Sequence, residues 1–269
     1  MFNDFFSKPK KSLGQNFLID KNIINKIIKI GNVKSNMTVW EIGPGYGHLT
    51  KEILNAKPKK IYAFEKDKEL SLILKKEFRK NSKIKIINSD ILNIISNQII
   101  KQNIIVFGNL PYNISTQILA SLLLIKKWPP WYEVLIFMFQ KEVADRIIAK
   151  KNSKNFGRLS VLCNWRMDIK KHFNVTKNCF YPKPKVNSTV LSFKPKKNNL
   201  FDLKNPKNLE TVTRVLFSNR RKMVNKNFLK LFNGNTVIAK DLNLNLKQRP
   251  EELSNEMFYK IAIKYEKFI

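Results

Sequence analysis

Short apolar segments rich in β-branched and aromatic residues alternate with segments of helical pattern between residue 37 and about residue 142. The strand-like segments span 37–43, 59–65, 83–90, 103–109 and 133–139. Segments of helical length, such as those spanning 70–80 and 115–127, separate them. Continuous apolar runs of this kind are typical of strands buried on both faces. The alternation therefore predicts an α/β fold with a doubly wound parallel sheet.

Further segments extend this predicted core at both ends. Residues 20–32 have the pattern of a helix with Asp20 as its N-cap. Residues 159–173 and 187–195 alternate like two antiparallel strands, and the proline-rich segment 180–186 joins them. Such a hairpin would close the sheet.

The last part of the chain differs in composition from the rest. Residues 194–208 read as a polar linker rich in helix breakers, and the remainder has helical patterns throughout. We therefore expect an α/β domain over residues 1–199, with an N-terminal lid segment, and a small all-α domain over residues 200–269.

Charge is the strongest global signal: the chain has 51 Lys and Arg against 20 Asp and Glu, a net charge of +31. Such an excess favours polyanionic partners, of which nucleic acid is the usual one. The alternative interpretation is compositional bias, with lysine placed wherever a polar surface residue is tolerated. Because hydrophobic residues make up 43% of the chain, a folded protein is expected in either case.

The sequence argues against a membrane protein and against a metal site. No apolar run approaches the length of a membrane span, and residues 1–18 lack the continuous apolar segment of a signal peptide. We expect a cytoplasmic protein with Cys163 and Cys179 reduced. Only His48 and His172 accompany these cysteines, so no zinc site is expected.

A glycine-rich loop follows the first predicted strand, with Gly43, Gly45 and Gly47 in the sequence EIGPGYGHLT. A dinucleotide fingerprint would need its third glycine where this chain has His48, which disfavours NAD. Pro44 also removes a backbone donor from a loop that would otherwise cradle phosphate. A cofactor with a nucleoside but no phosphate suits this loop better, and S-adenosylmethionine is the obvious candidate.

Two acidic residues strengthen this prediction because they close the next two strands. Glu65 lies 22 residues after Gly43, the spacing at which an acid reaches both ribose hydroxyls. Asp90 would accept from the adenine amino group, with Ile91 packed on the ring. Either acid alone could instead be a helix N-cap.

The sequence Asn109-Leu110-Pro111-Tyr112 ends the fourth predicted strand. Suppose that the methyl acceptor is the exocyclic amine of an adenine. Its lone pair is delocalised into the ring, so the amine is a poor nucleophile unless two acceptors hold its hydrogens. The Asn109 side-chain oxygen and a backbone carbonyl of Leu110 or Pro111 are the candidate acceptors. Pro111 fixes the turn, and Tyr112 offers a stacking face for a flipped base. The alternative is a strand-terminating turn with a core tyrosine.

The N-terminal segment KSLGQNFL, residues 11–18, precedes the first helix. It could fold over the crevice as a lid, with Lys8, Lys10 and Lys11 facing a polyanion. Taken alone, it could equally be a tethered tail.

Seven collinear motifs now point to one family. They are KKSLGQNFL, EIGPGYGHLT, NSDIL, GNLPYNIS, MFQKEVADRI, FGRLS and FYPKPKVNSTV. In this order and at these intervals they resemble the KsgA (RsmA) ribosomal RNA adenine dimethyltransferases, from about residue 8 to the end of the chain.

The resemblance implies a seven-stranded methyltransferase sheet and S-adenosylmethionine as cofactor. It implies dimethylation of two adjacent adenosines in a hairpin loop near the 3′ end of small-subunit rRNA, by a monomer acting on a maturing ribosomal particle. Phe180 falls on the phenylalanine of the family's F-x-P-x-P-K-V motif, which implies that it stacks on the target base on the side opposite Tyr112. Asn187 departs from the family pattern, which usually has an acid there. The cofactor-binding positions implied are Asn16, Leu18, Gly43, Glu65, Asp90 and Asn109, besides the other loop glycines, Gly45 and Gly47.

Three basic residues, Arg220, Arg221 and Lys222, are expected at a helix start in the C-terminal region. There they would bind RNA phosphates without reading base sequence. The alternative for each is a solvated basic face.

Two other functions remain as alternatives. The related large-subunit rRNA methyltransferases of macrolide resistance share the sheet and the chemistry, but Leu110 and the long helical tail favour the small-subunit enzyme. A non-catalytic nucleic-acid-binding assembly factor would not need Glu65, Asp90 or the Asn-Leu-Pro-Tyr sequence.

Overall fold

A computed structural model describes residues 9–10, 13–95, 104–197 and 201–269. The strands are β1 Phe17–Leu18, β2 Thr38–Ile42, β3 Lys60–Glu65, β4 Ile84–Asn88, β5 Ile104–Asn109, β6 Tyr132–Gln140, β7 Met167–Val175, β8 Phe180–Tyr181 and β9 Ser188–Pro195. The helices are α1 Lys21–Gly31, α2 His48–Asn55, α3 Lys68–Glu77, α4 Leu92–Ile95, α5 Ser115–Leu123, α6 Lys141–Ile147, α7 Arg158–Arg166, α8 Lys207–Leu216, α9 Asn225–Leu231, α10 Val237–Asp241 and α11 Asn255–Phe268.

Seven strands form one sheet in the order β4-β3-β2-β5-β6-β9-β7. The pairs from β4 to β6 are parallel, and β9 runs antiparallel to β6. This arrangement confirms the predicted doubly wound α/β sheet with an antiparallel addition. The interior strand β2 is buried along its whole length. The edge strand β4 is only partly buried, although all five strands were expected to be buried on both faces.

The two short strands β1 and β8 pair with each other outside the main sheet. Phe17 lies opposite Tyr181 and Leu18 lies opposite Phe180 in an antiparallel register. A further backbone bond joins the Ile19 N–H to the Cys179 carbonyl at 2.9 Å. This pairing fixes the N-terminal segment beside a segment more than one hundred residues later in the sequence.

Helix α1 has the predicted cap and a close contact at its end. The Asp20 carboxylate accepts the Ile23 N–H at 3.0 Å, which satisfies a free donor of the first turn. At the other end, a Cβ on Gly31 would lie 2.4 Å from the Phe107 ring. Glycine at this position therefore lets the helix approach β5 closely.

The prediction of a strand over residues 159–173 is wrong for its first half and correct for its second half. Residues 158–166 form helix α7, and only the second half belongs to β7. The Ser160 Oγ accepts the Gly157 N–H at 3.2 Å and donates to the Arg146 carbonyl at 2.6 Å, which caps the helix start. The helix is buried on most of its surface, so its apolar residues lack the one-sided period by which an amphipathic helix is recognised.

The chain divides into two compact units. Unit 1 comprises residues 1–121, 130–144 and 170–194, and unit 2 comprises 122–129, 145–169 and 195–269. Unit 2 thus takes two segments from the middle of the chain in addition to the C-terminal region. The division into domains of residues 1–199 and 200–269 stays a prediction.

Each unit has its own core. In unit 1 the sheet packs on α1 and α2 through residues such as Ile27, Ile53 and Phe107. In unit 2 the rings of Phe217 and Phe258 stack with centroids 5.1 Å apart. Over the described ranges, no helix is long and apolar enough to cross a membrane.

Candidate active site

The glycine-rich loop lies at the carboxyl end of β2, and its three glycines have positive φ angles. The Gly43 N–H bonds to the Phe64 carbonyl at 3.0 Å, and helix α2 starts directly after Gly47. A Cβ on Gly45 would lie 2.5 Å from the Phe17 ring. The ring of Phe17 also contacts Tyr46, with centroids 4.4 Å apart. The loop and the N-terminal segment are therefore in contact, and only glycine fits at position 45.

Glu65 ends β3 next to this loop. One carboxylate oxygen accepts the Gly45 N–H at 3.1 Å, and the other accepts the Asp67 N–H at 2.9 Å. Burial raises the pKa of Glu65 above its usual value, against the opposing effect of these N–H donors. Each carboxylate oxygen has a second acceptor position, so the group can hold hydroxyls of a ligand while it shapes the loop.

Asp90 follows β4, where it has the helix-capping role that its sequence position also allowed, while its binding of an adenine amino group stays a prediction. One oxygen accepts the Leu92 N–H at 3.0 Å, which caps helix α4, and the other pairs with the Lys66 ammonium at 2.9 Å. Burial opposes ionisation, but the bonds from Lys66 and Leu92 outweigh it and hold the pKa of Asp90 below its usual value. Asp90 therefore acts as a charged acceptor at the cavity wall.

The Asn109-Leu110-Pro111-Tyr112 loop follows β5 at the same edge of the sheet. The Asn109 side-chain amide donates to the Asn16 carbonyl at 2.8 Å. This bond fixes which end of the amide is the nitrogen and leaves the oxygen to face another group. The Pro111 carbonyl already accepts the Ile114 N–H at 3.1 Å, which favours Leu110 as the second backbone acceptor.

Residues 13–18 bridge several parts of this site. The Leu18 carbonyl accepts from Nδ1 of His48 at 3.1 Å. The Gln15 side chain donates to Asp67 at 3.0 Å, and Lys10 pairs with both Asp67 and Glu69. These contacts hold the segment against the protein, and its role as a lid stays a prediction. They also place Lys10 on acidic residues instead of the expected polyanion, while Lys8 and Lys11 lie outside the described residues.

One cavity collects most of the predicted side chains. It is lined by Asn16, Gly43, Gly45, Glu65, Asp90, Asn109, Leu110, Pro111 and Tyr112, together with apolar residues such as Phe17, Ile91 and Ile118. Three other predicted residues, Leu18, Gly47 and Phe180, are not part of its lining. The structure therefore brings polar side chains from the ends of β3, β4 and β5 together with the glycine loop after β2, around one space with apolar walls.

Phe180 lies in the hydrophobic core beside Leu18 and is only 3% exposed. Its predicted stacking on a base would need the ring to face the cavity, and it stays a prediction. The departure at Asn187 has a clear local role: its side-chain oxygen accepts the Lys177 N–H at 3.1 Å. A single neutral acceptor is sufficient for this bond, so it needs no carboxylate.

The predicted RNA-binding residues lie in unit 2, in a turn before α9 and not at a helix start. Arg220 bonds to the Glu251 carboxylate at 2.8 Å and to the Ser153 carbonyl at 3.1 Å. Its side chain is thus bound within the protein. Arg221 and Lys222 are exposed, and their binding to RNA stays a prediction.

Sequence reasoning missed two buried acids in this region. Asp67 caps helix α3 and binds Lys10 and Gln15, and these bonds outweigh its burial and lower its pKa. Glu41 is 1% exposed within β2 and accepts a 2.7 Å bond from the Thr50 hydroxyl. Burial raises the pKa of Glu41 to about 8. Glu41 is the single acid inside the apolar strand sequence TVWEI, and this position could have indicated that its carboxyl is buried.

Comparison of the sequence with known proteins identifies the family of this chain. The family model described as ribosomal RNA adenine dimethylase matches residues 6–267. A ribosomal RNA small subunit methyltransferase A of Pelagibacter ubique (strain HTCC1062) is 48% identical over 261 residues, covering 97% of this chain and 98% of the relative. One of Wolbachia pipientis wMel is 40% identical, covering 96% and 89%. The chain therefore belongs to the ribosomal RNA adenine dimethylase family, as its motifs indicated.

Two solved structures share the fold. A dimethyladenosine transferase from Plasmodium falciparum matches with a TM-score of 0.76 and 24% identity, covering 94% of this chain and 100% of that one. The 23S rRNA methyltransferase ErmE matches with a TM-score of 0.65 and 20% identity, covering 93% and 99%. These similarities confirm the predicted methyltransferase sheet with its helical C-terminal region.

Proposed function

We propose that this protein transfers methyl groups from S-adenosylmethionine to the amino groups of two adjacent adenosines near the 3′ end of small-subunit rRNA. The product would be N6,N6-dimethyladenosine, made on a maturing ribosomal particle by a cytoplasmic monomer. Family membership supports the adenine dimethylation. The two relatives, 48% and 40% identical, are named small subunit methyltransferases, which supports the small-subunit substrate over the large-subunit alternative.

The cavity residues fit the proposed cofactor. Glu65 would hold the ribose hydroxyls, Asp90 the adenine amino group, and the open glycine loop would leave room for the amino acid tail. Apolar walls from Phe17 and Ile91 suit a flat base. When bound, the cofactor supplies an electrophilic methyl on a sulfonium.

The chain's own contribution is to hold and activate the acceptor amine. The Asn109 side-chain oxygen and the Leu110 carbonyl would each accept one amino hydrogen, which concentrates the lone pair on nitrogen for in-line attack. Tyr112 would stack on the base. A strong general base is not required, because the ammonium product can lose its proton to water.

The observation that carries the proposal is the 2.8 Å bond from the Asn109 amide to the Asn16 carbonyl. With the nitrogen bonded in this way, the side-chain oxygen would be the acceptor end of the amide, at the wall of the cavity that Glu65 and Asp90 also line. The test is mass spectrometry of small- and large-subunit rRNA after incubation of each with the protein and labelled S-adenosylmethionine. Dimethyladenosine is expected in small-subunit rRNA alone, and label confined to large-subunit rRNA would overturn the assignment.

Substitution of Gly45 by alanine tests the cofactor loop. The residue has φ +59 and a new Cβ would meet the Phe17 ring, so we expect the loop to move and cofactor affinity to fall at least about tenfold. Calorimetric titration with S-adenosylmethionine measures this. Gly234→Ala is the matched control, because Gly234 also has positive φ but nothing lies within 4 Å of its Cβ position. Equal affinities for the two variants would contradict the loop's role.

RNA binding should depend steeply on salt if the +31 charge contacts phosphates. We expect affinity to fall about 100-fold between about 50 and 200 mM salt, from release of several counterions. Replacing both Arg221 and Lys222 by alanine should lower the slope by about 1 to 2, whereas Lys260→Ala, which removes a cation paired with Glu256, should not. A flat titration would show that the charge is not used for binding.

A further inference from the structure

The hydroxyl of Tyr112 is bonded to the hydroxyl of Ser188 across 2.6 Å. This distance is at the short end for O–H···O bonds, where the interaction is strong. Tyr112 is half-buried at the cavity wall, whereas Ser188 is completely buried at the start of β9. Burial raises the pKa of the Tyr112 hydroxyl, so it stays neutral, and either hydroxyl can donate in this bond.

Ser188 is itself held rigidly by its neighbours on both sides. The Asn187 carbonyl accepts the Lys141 N–H at 2.9 Å. The Thr189 hydroxyl donates to the Asn174 side chain at 2.9 Å. A hydroxyl on a fixed strand is a more precise anchor than one on a loop.

We infer that Ser188 is a positioning residue for methyl transfer, which holds the Tyr112 ring beside Asn109 so that the acceptor base can stack on it. The inference rests on the proposed function, because it needs a base at Tyr112. Anchoring the hydroxyl removes rotation of the ring before the base arrives, so less ordering remains at the moment of reaction.

The test compares three variants, Ser188→Ala, Tyr112→Phe and the double variant, with the wild type on unmethylated small ribosomal subunits. Each single variant removes one side of the same bond. We expect each to lower kcat about tenfold, and the double variant to lose no more than either single one. The affinity for S-adenosylmethionine, measured by calorimetry, should change less than about twofold, because the Ser188 hydroxyl bonds to Tyr112, which is not among the proposed cofactor-binding residues.

Ser192→Ala provides the matched control. Ser192 lies on the same strand and its hydroxyl bonds to His172 at 2.8 Å, away from the cavity residues. If the loss of any buried serine hydroxyl on β9 disturbs the structure, Ser188→Ala and Ser192→Ala should reduce kcat equally. That result would overturn the inference. Losses in the double variant that multiply to about 100-fold would also overturn it.

Failure of the inference is distinguishable from failure of the proposed function. If the wild type does not methylate small subunits, the proposed function is wrong. If the wild type and Ser192→Ala are active and Ser188→Ala keeps its kcat, only the positioning role is wrong. Should Ser188→Ala fail to fold, Tyr112→Phe still reports on the bond, and an unchanged kcat for that variant would refute it.

Discussion

Asn109→Ala should reduce kcat for methyl transfer by about 10²–10³-fold, because it removes one of the two acceptors that would hold the adenine amine. The change leaves the basic surface intact, so RNA affinity should stay within about threefold of wild type. Steady-state methylation of small-subunit rRNA measures kcat, and filter binding measures RNA affinity. Turnover at the wild-type rate would contradict the proposed mechanism.

Two further variants sharpen this experiment. Asn109→Asp keeps an acceptor oxygen but loses the donor to the Asn16 carbonyl, and it places two oxygens against each other. We expect it to weaken cofactor binding as well as kcat, because the N-terminal segment would move away. Asn55→Ala, at an exposed residue whose side-chain amide bonds to the Glu52 carboxylate, should leave cofactor binding and kcat unchanged.

The free energy of unfolding should fall as pH rises from about 5 to 8.5, and Glu41→Gln should reduce this fall. The pKa of Glu41 is about 8 in the folded protein against 4.5 as its ordinary value. The folded state therefore retains a proton that the unfolded state has released, which costs up to about 1.4 kcal/mol for each pH unit in this window. The stabilisation is full below about pH 4.5 and is lost by about pH 8.

Glutamine mimics the neutral carboxyl and can still accept the Thr50 bond, so it should stabilise the protein by a few kcal/mol at pH 8.5. Urea denaturation at pH 5 and pH 8.5 measures the difference. Glu77→Gln, at a half-exposed acid paired with Lys51, serves as the control and should leave the pH dependence unchanged. Parallel pH profiles for wild type and Glu41→Gln would show that Glu41 ionises normally.

Much of the fold and of the cavity could be predicted because both depend on local patterns. Parallel strands end at one edge of a sheet, so acids and amides at consecutive strand ends must converge, as Glu65, Asp90 and Asn109 do. The caps of helices also follow from neighbouring residues, as at Asp20. These features need no knowledge of distant contacts.

The features that could not be predicted depend on distant residues. Nothing near Tyr112 in sequence indicates Ser188, which lies 76 residues later, and nothing near Asn109 indicates the Asn16 carbonyl, 93 residues earlier. Helix α7 was mistaken for a strand because tertiary burial, not an amphipathic period, stabilises it. Arg220 carries the same charge as its neighbours, and only the fold shows that it binds Glu251.

The pairing of β1 with β8 has a consequence for synthesis of the chain. All the residues that line the cavity lie before residue 119, so they emerge early from a translating ribosome. Phe180 and Tyr181, which pair with the N-terminal segment, emerge much later, as does the partner of the Tyr112 hydroxyl. A nascent chain that ends at β6 would therefore contain every cavity residue without a completed site. We therefore expect full methyl-transfer activity only from chains whose translation has passed β9, late in synthesis.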